Sequence, residues 1–226
     1  MSTKIKRNGL IFEKKTIVNS KTFHTPTMML TYSFRDNNPR PWLKIPNCSI
    51  MTNAYDIMQN GRLEKRVRNH GIHKELELKN EICVMDSGGF QFISKGEGEN
   101  IDPLKIIDLQ NASNTDIAVG LDYPILQDFS PEKAKRLTKK SLENIKLSTK
   151  NIRNGIEVMP VLHGTTPEEI QKYFVKVKKI SDFKIWGVGG LVPQMKQSST
   201  SHTRYFNILD RVMEARKQLN SINEDL

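Results

Sequence analysis

The sequence predicts an α/β fold built on a parallel sheet. Short apolar, β-branched runs alternate with longer helical patterns along the chain. Polar or glycine residues follow most of these runs, where a parallel sheet places its ligand groups: Asn53, Asp86, Asp122, His163 and Gly189. Because every strand end contributes and no single crossover point stands out, a TIM-type (β/α) barrel is favoured over a doubly wound sheet. About six of the eight strand–helix units of such a barrel are recognisable, so the predicted barrel is incomplete.

The individual strands and helices are predicted from their composition and from the Pro, Gly and Asn residues that bound them. The predicted strands are Thr27–Thr31, Ser49–Thr52, Ile82–Asp86, Ile117–Leu121, Glu157–Leu162 and Lys184–Val188. The predicted helices are Ala54–Asn69, Pro103–Ser113, Ser130–Asn154, Pro167–Ser181 and a last one from about Thr203 to Asn220. Two helix starts are marked by a capping Ser or Thr, then Pro, then Glu, at Ser130 and Thr166.

Length predicts a single domain over residues 1–226, with a mobile loop at 194–202 where Gln, Ser and Thr accumulate. The net charge of +10 favours a polyanionic partner such as nucleic acid, although an AT-rich coding bias toward Lys gives the same value. Cys48 and Cys83 lack CxxC partners, which predicts buried thiols in a reducing compartment and no metal site. Without an apolar leader or membrane span, we expect a cytoplasmic protein, in the host cytoplasm if the chain is phage-like.

The most informative segment is Asp86-Ser87-Gly88-Gly89-Phe90-Gln91, directly after the predicted strand Ile82–Asp86. A carboxylate at a strand end, followed by two glycines that let a planar ligand approach the backbone, suits the binding and protonation of a heterocyclic base. The structural alternative is a tight turn with a solvated aspartate.

Several segments in order resemble the tRNA-guanine transglycosylases and their DNA-modifying relatives. They are 25–29, 52–58, the Gly-Ile-His-Lys turn at 71–74, the Asp86 segment, Gly-Leu-Asp-Tyr-Pro at 120–124, Pro-Val-Leu-His-Gly at 160–164 and Gly-Val-Gly-Gly-Leu at 187–191. The variant Gly-Gly-Leu-Val-Pro at 189–193 and the missing zinc cysteines most resemble the branch that places 7-deazaguanines in DNA, the deoxypurine-in-DNA protein A family. The resemblance therefore implies a barrel without a zinc subdomain.

The resemblance implies base exchange at a glycosidic carbon without a cofactor. A carboxylate displaces guanine, a covalent sugar–enzyme intermediate forms, and a 7-deazaguanine such as a preQ0-type precursor then attacks. By resemblance Asp86 carries the proton, and Ser87 and Gly88 contact the substrate beside it. Asn53 could orient a carboxylate, or simply cap the following helix.

The same resemblance assigns base recognition to the later segments. Asp122 would accept hydrogen bonds from the N1–H and 2-amino group of a guanine-like ring, or cap a turn. His163 stands where the family usually carries a Gln that reads the 6-oxo group; a buried structural histidine is the alternative. Backbone N–H groups of Gly189 and Gly190 would bind the 6-oxo group or the 7-substituent, or form a plain turn, and Leu191 beside them is expected to contact the substrate. Phe90 and Tyr123 could stack on the base or belong to the core.

The helix predicted at Ser130–Asn154 is rich in basic residues. Lys135, Arg136, Lys139 and Lys140 would contact phosphates of DNA or tRNA without sequence preference. The alternative is a solvated helix face with Glu132 and Glu143 as ion-pair partners.

The sequence does not identify the carboxylate that would attack the sugar. Relatives carry an Asp on a strand beyond the Gly-Gly-Leu loop, whereas only Asp210, in a predicted helix, and Asp225 follow Leu191 here. Three explanations stay open: a second polypeptide completes the barrel, the chain is a non-catalytic nucleic-acid-binding or base-binding subunit, or another acid such as Asp86 attacks the sugar. We expect a transglycosylase acting on guanine in DNA, or part of a split one, with tRNA as the alternative substrate. An unrelated barrel that holds a phosphate at Gly189 and Gly190 is the remaining alternative.

Overall fold

The computed structural model describes residues 5–8, 11–25, 27, 29–35, 39–45, 48–94, 101–126, 128–191 and 201–223. The chain divides into two compact units. The first comprises Met1–Val119 and Asn151–Val158, and the second comprises Gly120–Lys150 and Met159–Leu226.

The first unit begins with three antiparallel strands that the sequence did not predict. They are β1 (Ile5–Asn8), β2 (Ile11–Val18) and β3 (Lys21–Thr25), in the order β1-β2-β3. The turn between β2 and β3 places Asn19 and Ser20 at φ 46° and 64°, a left-handed pair that matches the twist of a two-residue hairpin. Neither residue is a glycine, so the usual hairpin signal is missing from the sequence.

A five-stranded sheet carries the candidate site of the first unit. Its strands are β4 (Met29–Thr31), β5 (Ser49–Asn53), β6 (Cys83–Asp86), β7 (Ile117–Val119) and β8 (Glu157–Met159), in that spatial order. The pairs β4–β5, β5–β6 and β6–β7 are parallel, which confirms the predicted α/β class with a parallel sheet. Ile50, Val84 and Ile117 are fully buried, as expected for strands with both faces covered.

Short helices connect these strands: α1 (Ala54–Met58), α2 (Gly61–His70), α3 (Ile72–Leu76), α4 (Gly89–Ser94) and α5 (Pro103–Ser113), with a 3₁₀ turn at Pro41–Leu43. The predicted single helix 54–69 is wrong, because Asn60 takes an extended conformation and its Oδ1 accepts a 3.1 Å hydrogen bond from the Leu63 N–H, starting a new helix. The prediction for α5 is confirmed, with Asp102 as its N-cap and Pro103 at the first helical position.

The second unit contains α6 (Pro131–Asn151), β9 (Val161–Leu162), α7 (Pro167–Lys178), β10 (Gly187–Val188) and α8 (Ser201–Asn223). β9 and β10 form a parallel pair. The predicted strand 157–162 is divided into β8 and β9 at Pro160, which has no N–H to donate to a ladder. Leu162, Ile170, Phe174 and Val177 belong to the core of this unit.

The predicted loop 194–202 falls largely outside the described residues; of its members, Ser201 and His202 belong to α8. Within the described ranges, no helix is long and apolar enough to span a membrane. The same ranges contain no group of three His, Cys, Asp or Glu side chains placed to hold a metal ion. The single-domain assignment stays a prediction.

Candidate functional site

Asp86 is the last residue of β6, and its carboxylate is held in place by two neighbours. Its Oδ2 accepts a 3.0 Å hydrogen bond from Asn53 Nδ2 and a 3.2 Å hydrogen bond from the Gly88 N–H. Asn53 and Asp86 are directly paired in the register of β5 and β6, so both side chains leave the sheet at the same level. The carboxylate is half-buried, which leaves it accessible to a ligand.

Asn53 performs both roles that the sequence left open. Its Oδ1 accepts a 3.4 Å hydrogen bond from the Asp56 N–H and so caps α1, while its Nδ2 binds Asp86. Asp56 is in turn fixed by the Arg35 guanidinium at 2.7 Å and by a 2.8 Å hydrogen bond from the Ser33 hydroxyl. Capping therefore orients the amide that holds the carboxylate.

Gly88 is required by its backbone and by its surroundings. Its φ is +83°, and a Cβ placed on it would lie 2.6 Å from Tyr55 Cβ and 2.8 Å from Asn53 Oδ1. Only glycine allows this approach while keeping its N–H on Asp86. Ser87, which the resemblance placed beside the substrate, is fully buried.

The two predicted stacking residues differ in exposure. Phe90, in the first turn of α4, is 46% exposed and is therefore available to a planar ligand. Tyr123 is 2% exposed, and its backbone N–H donates a 2.9 Å hydrogen bond to Ser141 Oγ. This burial favours the core alternative that the sequence left open for Tyr123, and stacking on a base stays a prediction.

Within the second unit, Asp122 and His163 form a close pair. His163 Nε2 lies 2.6 Å from Asp122 Oδ2, and the two side chains are 3% and 14% exposed. His163 follows β9, and Asp122 lies in the segment after β7, so both follow strand ends as expected. A sequence reading gave them separate tasks, whereas the structure joins them in one hydrogen-bonded unit.

The Gly189–Leu191 segment follows β10. The Gly189 N–H donates a 3.0 Å hydrogen bond to the Leu162 carbonyl, so this N–H is already used within the fold. A Cβ at Gly189 would lie 2.7 Å from His163 Cε1, which shows how closely the backbone approaches the imidazole. Gly190 has φ +71°, and Leu191 is half-buried.

The basic residues predicted to bind nucleic acid lie on α6. Lys135, Arg136 and Lys139 are exposed and Lys140 is half-buried. Lys139 pairs with Glu143 at 3.8 Å, an exposed contact worth little. Four exposed lysines, the lysine stripe, lie within about 60° of one another around the helix and span about 22 Å of its length: Lys135, Lys139, Lys146 and Lys150.

One polar cluster in the first unit was missed by the sequence reading. The fully buried Asp116 accepts a 2.8 Å hydrogen bond from the Cys83 N–H and lies 2.8 Å from His73 Nε2 and 3.0 Å from Lys21 Nζ. His73 belongs to the Gly-Ile-His-Lys turn, which was the available signal. The cluster ties the β2–β3 hairpin to the start of β7, away from the strand end that carries Asp86.

The fold and these side chains define an α/β protein with polar groups at the carboxyl ends of parallel strands. The sequence model of the queuine tRNA-ribosyltransferase family matches residues 14–219, and the chain belongs to this family. This membership fits a TIM-like α/β fold.

Curated relatives are archaeal tRNA-guanine(15) transglycosylases. Those of Methanococcus vannielii, Methanococcus aeolicus and Pyrococcus abyssi are 30%, 28% and 26% identical over 188, 211 and 209 residues. The matches cover 79%, 89% and 89% of this chain, but 28%, 31% and 33% of those proteins. The chain thus spans about a third of the length of these relatives.

Proposed function

We propose that the chain carries the proton-transfer and base-recognition groups of a transglycosylase that exchanges guanine in a nucleic acid for a 7-deazaguanine. The observation that carries this proposal is the Asp86 carboxylate, fixed at a strand end by Asn53 and the Gly88 N–H. The exposed Phe90 ring in the next helical turn offers a surface for stacking. Family membership supplies the reaction class.

In the proposed reaction, an enzyme carboxylate attacks C1′ of the nucleotide, and the C1′–N9 bond to guanine breaks. Guanine leaves with a proton from Asp86, and a covalent sugar–enzyme ester holds the strand. The incoming base gives its N9 proton to Asp86 as its own bond to C1′ forms and the ester breaks. Both half-reactions use one proton and one carboxylate, so Asp86 ends in its starting state.

We propose that the attacking carboxylate lies outside the described residues. Of the two aspartates after Leu191, Asp210 is exposed on α8 and follows no strand, and Asp225 falls outside the described part of the chain. A second polypeptide, or a further segment, would supply the nucleophile and the remaining units of a TIM-type barrel. The parallel order of β4–β7 and the β9–β10 pair supports a place for these strands in such a barrel.

The nucleic acid has two candidates. The relatives are named as tRNA-guanine transglycosylases, which supports tRNA. The Gly-Gly-Leu-Val-Pro segment at 189–193 favours DNA through its resemblance to the DNA-modifying branch. In either case the lysine stripe on α6 would contact phosphates, because a row of exposed cations binds a polyanion without reading its sequence.

The test measures incorporation of labelled 7-deazaguanine into tRNA and into duplex DNA. The chain is assayed alone and with the product of a neighbouring reading frame that supplies an aspartate, followed by mass spectrometry of the nucleosides. We expect exchange only in the mixture, and a loss of about 10²–10⁴-fold with Asp86→Asn. Asp102→Asn is the matched control, since Asn caps α5 as well as Asp does.

Strong exchange by the chain alone would refute the divided arrangement. A rival function, binding of nucleic acid without chemistry, predicts that no mixture forms a covalent adduct on a denaturing gel. That result, together with unchanged binding of Asp86→Asn to nucleic acid, would replace the enzymatic proposal.

A further inference from the structure

Arg35 lies at the same edge of the five-stranded sheet as Asp86. Because the pairs β4–β5 and β5–β6 are parallel, the segment after β4, which contains Arg35, leaves the sheet at the edge where β5 ends in Asn53 and β6 ends in Asp86. The Arg35 side chain is 44% exposed. A guanidinium that solvent can reach is therefore placed at the end of the sheet that carries the candidate site.

The backbone that carries Arg35 is held against the sheet. The Tyr32 N–H donates a 2.8 Å hydrogen bond to the Met51 carbonyl, which continues the pairing of β4 with β5. The Tyr32 ring packs edge-on against Phe34 at 5.1 Å and against Trp42 at 5.0 Å between ring centroids. The position of Arg35 thus follows from the packing of the residues just before it.

The guanidinium itself is fixed by two neighbouring residues of α1. Its Nη2 lies 2.7 Å from Asp56 Oδ1, and its Cζ lies over the Tyr55 ring, 5.1 Å from the centroid. The Ser33 hydroxyl donates a 2.8 Å hydrogen bond to the other oxygen of Asp56. A guanidinium carries more N–H donors than one carboxylate oxygen accepts, so donors are left for a second acceptor.

The same short segment supports both Arg35 and Asp86. Asn53, which caps α1, donates a 3.0 Å hydrogen bond from its Nδ2 to Asp86 Oδ2. Tyr55, which lies under the guanidinium, packs so closely on the turn after β6 that a Cβ on Gly88 would lie 2.6 Å from Tyr55 Cβ. The start of α1 therefore holds the cation and the strand-end carboxylate in a fixed relation.

The charges of the segments that meet here leave one role open for Arg35. Residues 32–35, 53–58 and 86–94 contain two acids, Asp56 and Asp86, and Arg35 is their only basic residue. A nucleotide whose sugar approaches Asp86 brings a phosphate toward these two carboxylates, and a cation at the same edge offsets the repulsion. A planar guanidinium is suited to this task because it binds phosphate oxygens through two parallel N–H···O bonds.

We propose that Arg35 binds a phosphate that flanks the nucleotide to be exchanged, while Asp56 and Tyr55 hold its guanidinium in place. This inference rests on the proposed function and adds to it one contact that fixes where the strand lies at Asp86. The lysine stripe, by contrast, binds phosphates without fixing a register. The structural alternative is that Arg35 only ties the segment after β4 to α1, although a partly exposed ion pair adds little stability.

The experiment compares guanosine with guanosine 5′-monophosphate and guanosine 3′-monophosphate, using calorimetry on the full chain at one fixed salt concentration. We expect one of the two monophosphates to bind about tenfold more tightly than guanosine, because a charge-assisted contact is added. Arg35→Gln should lose this gain and bind guanosine as the wild type does. Arg66→Gln is the matched control: Arg66 on α2 pairs with Glu75 at 2.8 Å and is 53% exposed, so the same charge is removed elsewhere and the gain should persist.

The guanosine measurement also reports whether each variant is folded. A gain that survives in Arg35→Gln, a gain that Arg66→Gln loses equally, or a wild type that shows no gain with either monophosphate would overturn the phosphate contact and leave the proposed function intact. Weaker binding of guanosine itself by Arg35→Gln would assign Arg35 the structural role instead. A wild-type chain that binds neither guanosine nor its monophosphates refutes both the contact and the base site of the proposed function.

Discussion

Replacing Asp116 by Asn should destabilise the first unit by about 3 kcal/mol. The carboxylate is fully buried, accepts hydrogen bonds from Asn19 Nδ2 at 2.9 Å, Lys21 Nζ at 3.0 Å and the Cys83 N–H at 2.8 Å, and lies 2.8 Å from His73 Nε2. An asparagine keeps one acceptor oxygen and turns its NH₂ toward one of these donors. The four contacts cannot all be satisfied after the change.

The magnitude follows from the burial of the partners. Breaking a buried charge pair costs about 3–5 kcal/mol. The lower end applies here because Lys21 and His73 are 22% and 21% exposed, and water can partly replace the lost carboxylate. Asp108→Asn is the matched control: Asp108 pairs with Arg68 at 2.7 Å but is 70% exposed, so its loss should cost less than about 1 kcal/mol.

The pH dependence gives a second check. Burial raises the pKa of Asp116, but hydrogen bonds from His73 and the Cys83 N–H outweigh it and leave the pKa below its usual value. The unfolded aspartate, with a pKa of about 3.9, takes up a proton before the folded one does. The stabilisation is therefore complete above about pH 5 and is lost as the pH falls through the folded-state value.

Urea unfolding from about pH 7 to well below the unfolded-state pKa of about 3.9 measures both effects, and hydrogen exchange in the β2–β3 hairpin locates them. The gap between wild type and Asp116→Asn should be widest at neutral pH and narrow in acid. A change under about 0.5 kcal/mol at neutral pH, or a gap that widens in acid, would show that Asp116 does not hold the hairpin.

Three further outcomes follow from the described contacts. Gly88→Ala should lower the free energy of unfolding by about 1–3 kcal/mol and weaken base binding, because the left-handed backbone and a clash with Tyr55 both oppose the methyl group. A melting temperature equal to that of the wild type would contradict this. Replacing the lysine stripe residues Lys135 and Lys139 by Gln should reduce the salt slope of duplex DNA binding by about 0.9 per lost phosphate contact, and an unchanged slope would remove α6 from the interface. Burial raises the pKa of Cys83 to about 12, and burial with the charge of Glu81 also raises the pKa of the half-buried Cys48, so iodoacetamide at about pH 8 should label Cys48 slowly and spare the fully buried Cys83 until the chain is unfolded.

The parallel strands were predictable because burial on both faces leaves a local signal. Runs such as Ile82–Met85 are apolar at successive positions, and the strand Cys83–Asp86 lies where this run predicts it. The hairpin β2–β3 was not predictable in the same way. It turns at Asn19 and Ser20, and its turn is held by contacts of Asn19 and Lys21 with Asp116, about a hundred residues away. Such a long-range contact leaves no local pattern.

The sequence predicted which residues belong to the candidate site, but not which of them contact one another. The Asp86 segment identifies a strand-end carboxylate, and the resemblance adds Asp122 and His163. The 2.6 Å pair between Asp122 and His163 joins residues 41 positions apart, and only coordinates bring them together. For Tyr123 the sequence left stacking and a core position open, and the burial of the side chain favours the core.

Asn53 shows why structural and functional interpretations of a strand-end residue need not compete. A carboxamide has an acceptor and a donor, so its oxygen caps α1 while its nitrogen holds Asp86. The hydrogen bond from α1 to the Asn53 oxygen fixes the orientation of the side-chain amide, and therefore the direction in which its nitrogen points. The helix start thereby positions the carboxylate of the neighbouring strand. At Asn53 one side chain thus serves the fold through its oxygen and the candidate site through its nitrogen. The second polar atom of a capping residue at a strand end is therefore worth examining for a role in the site.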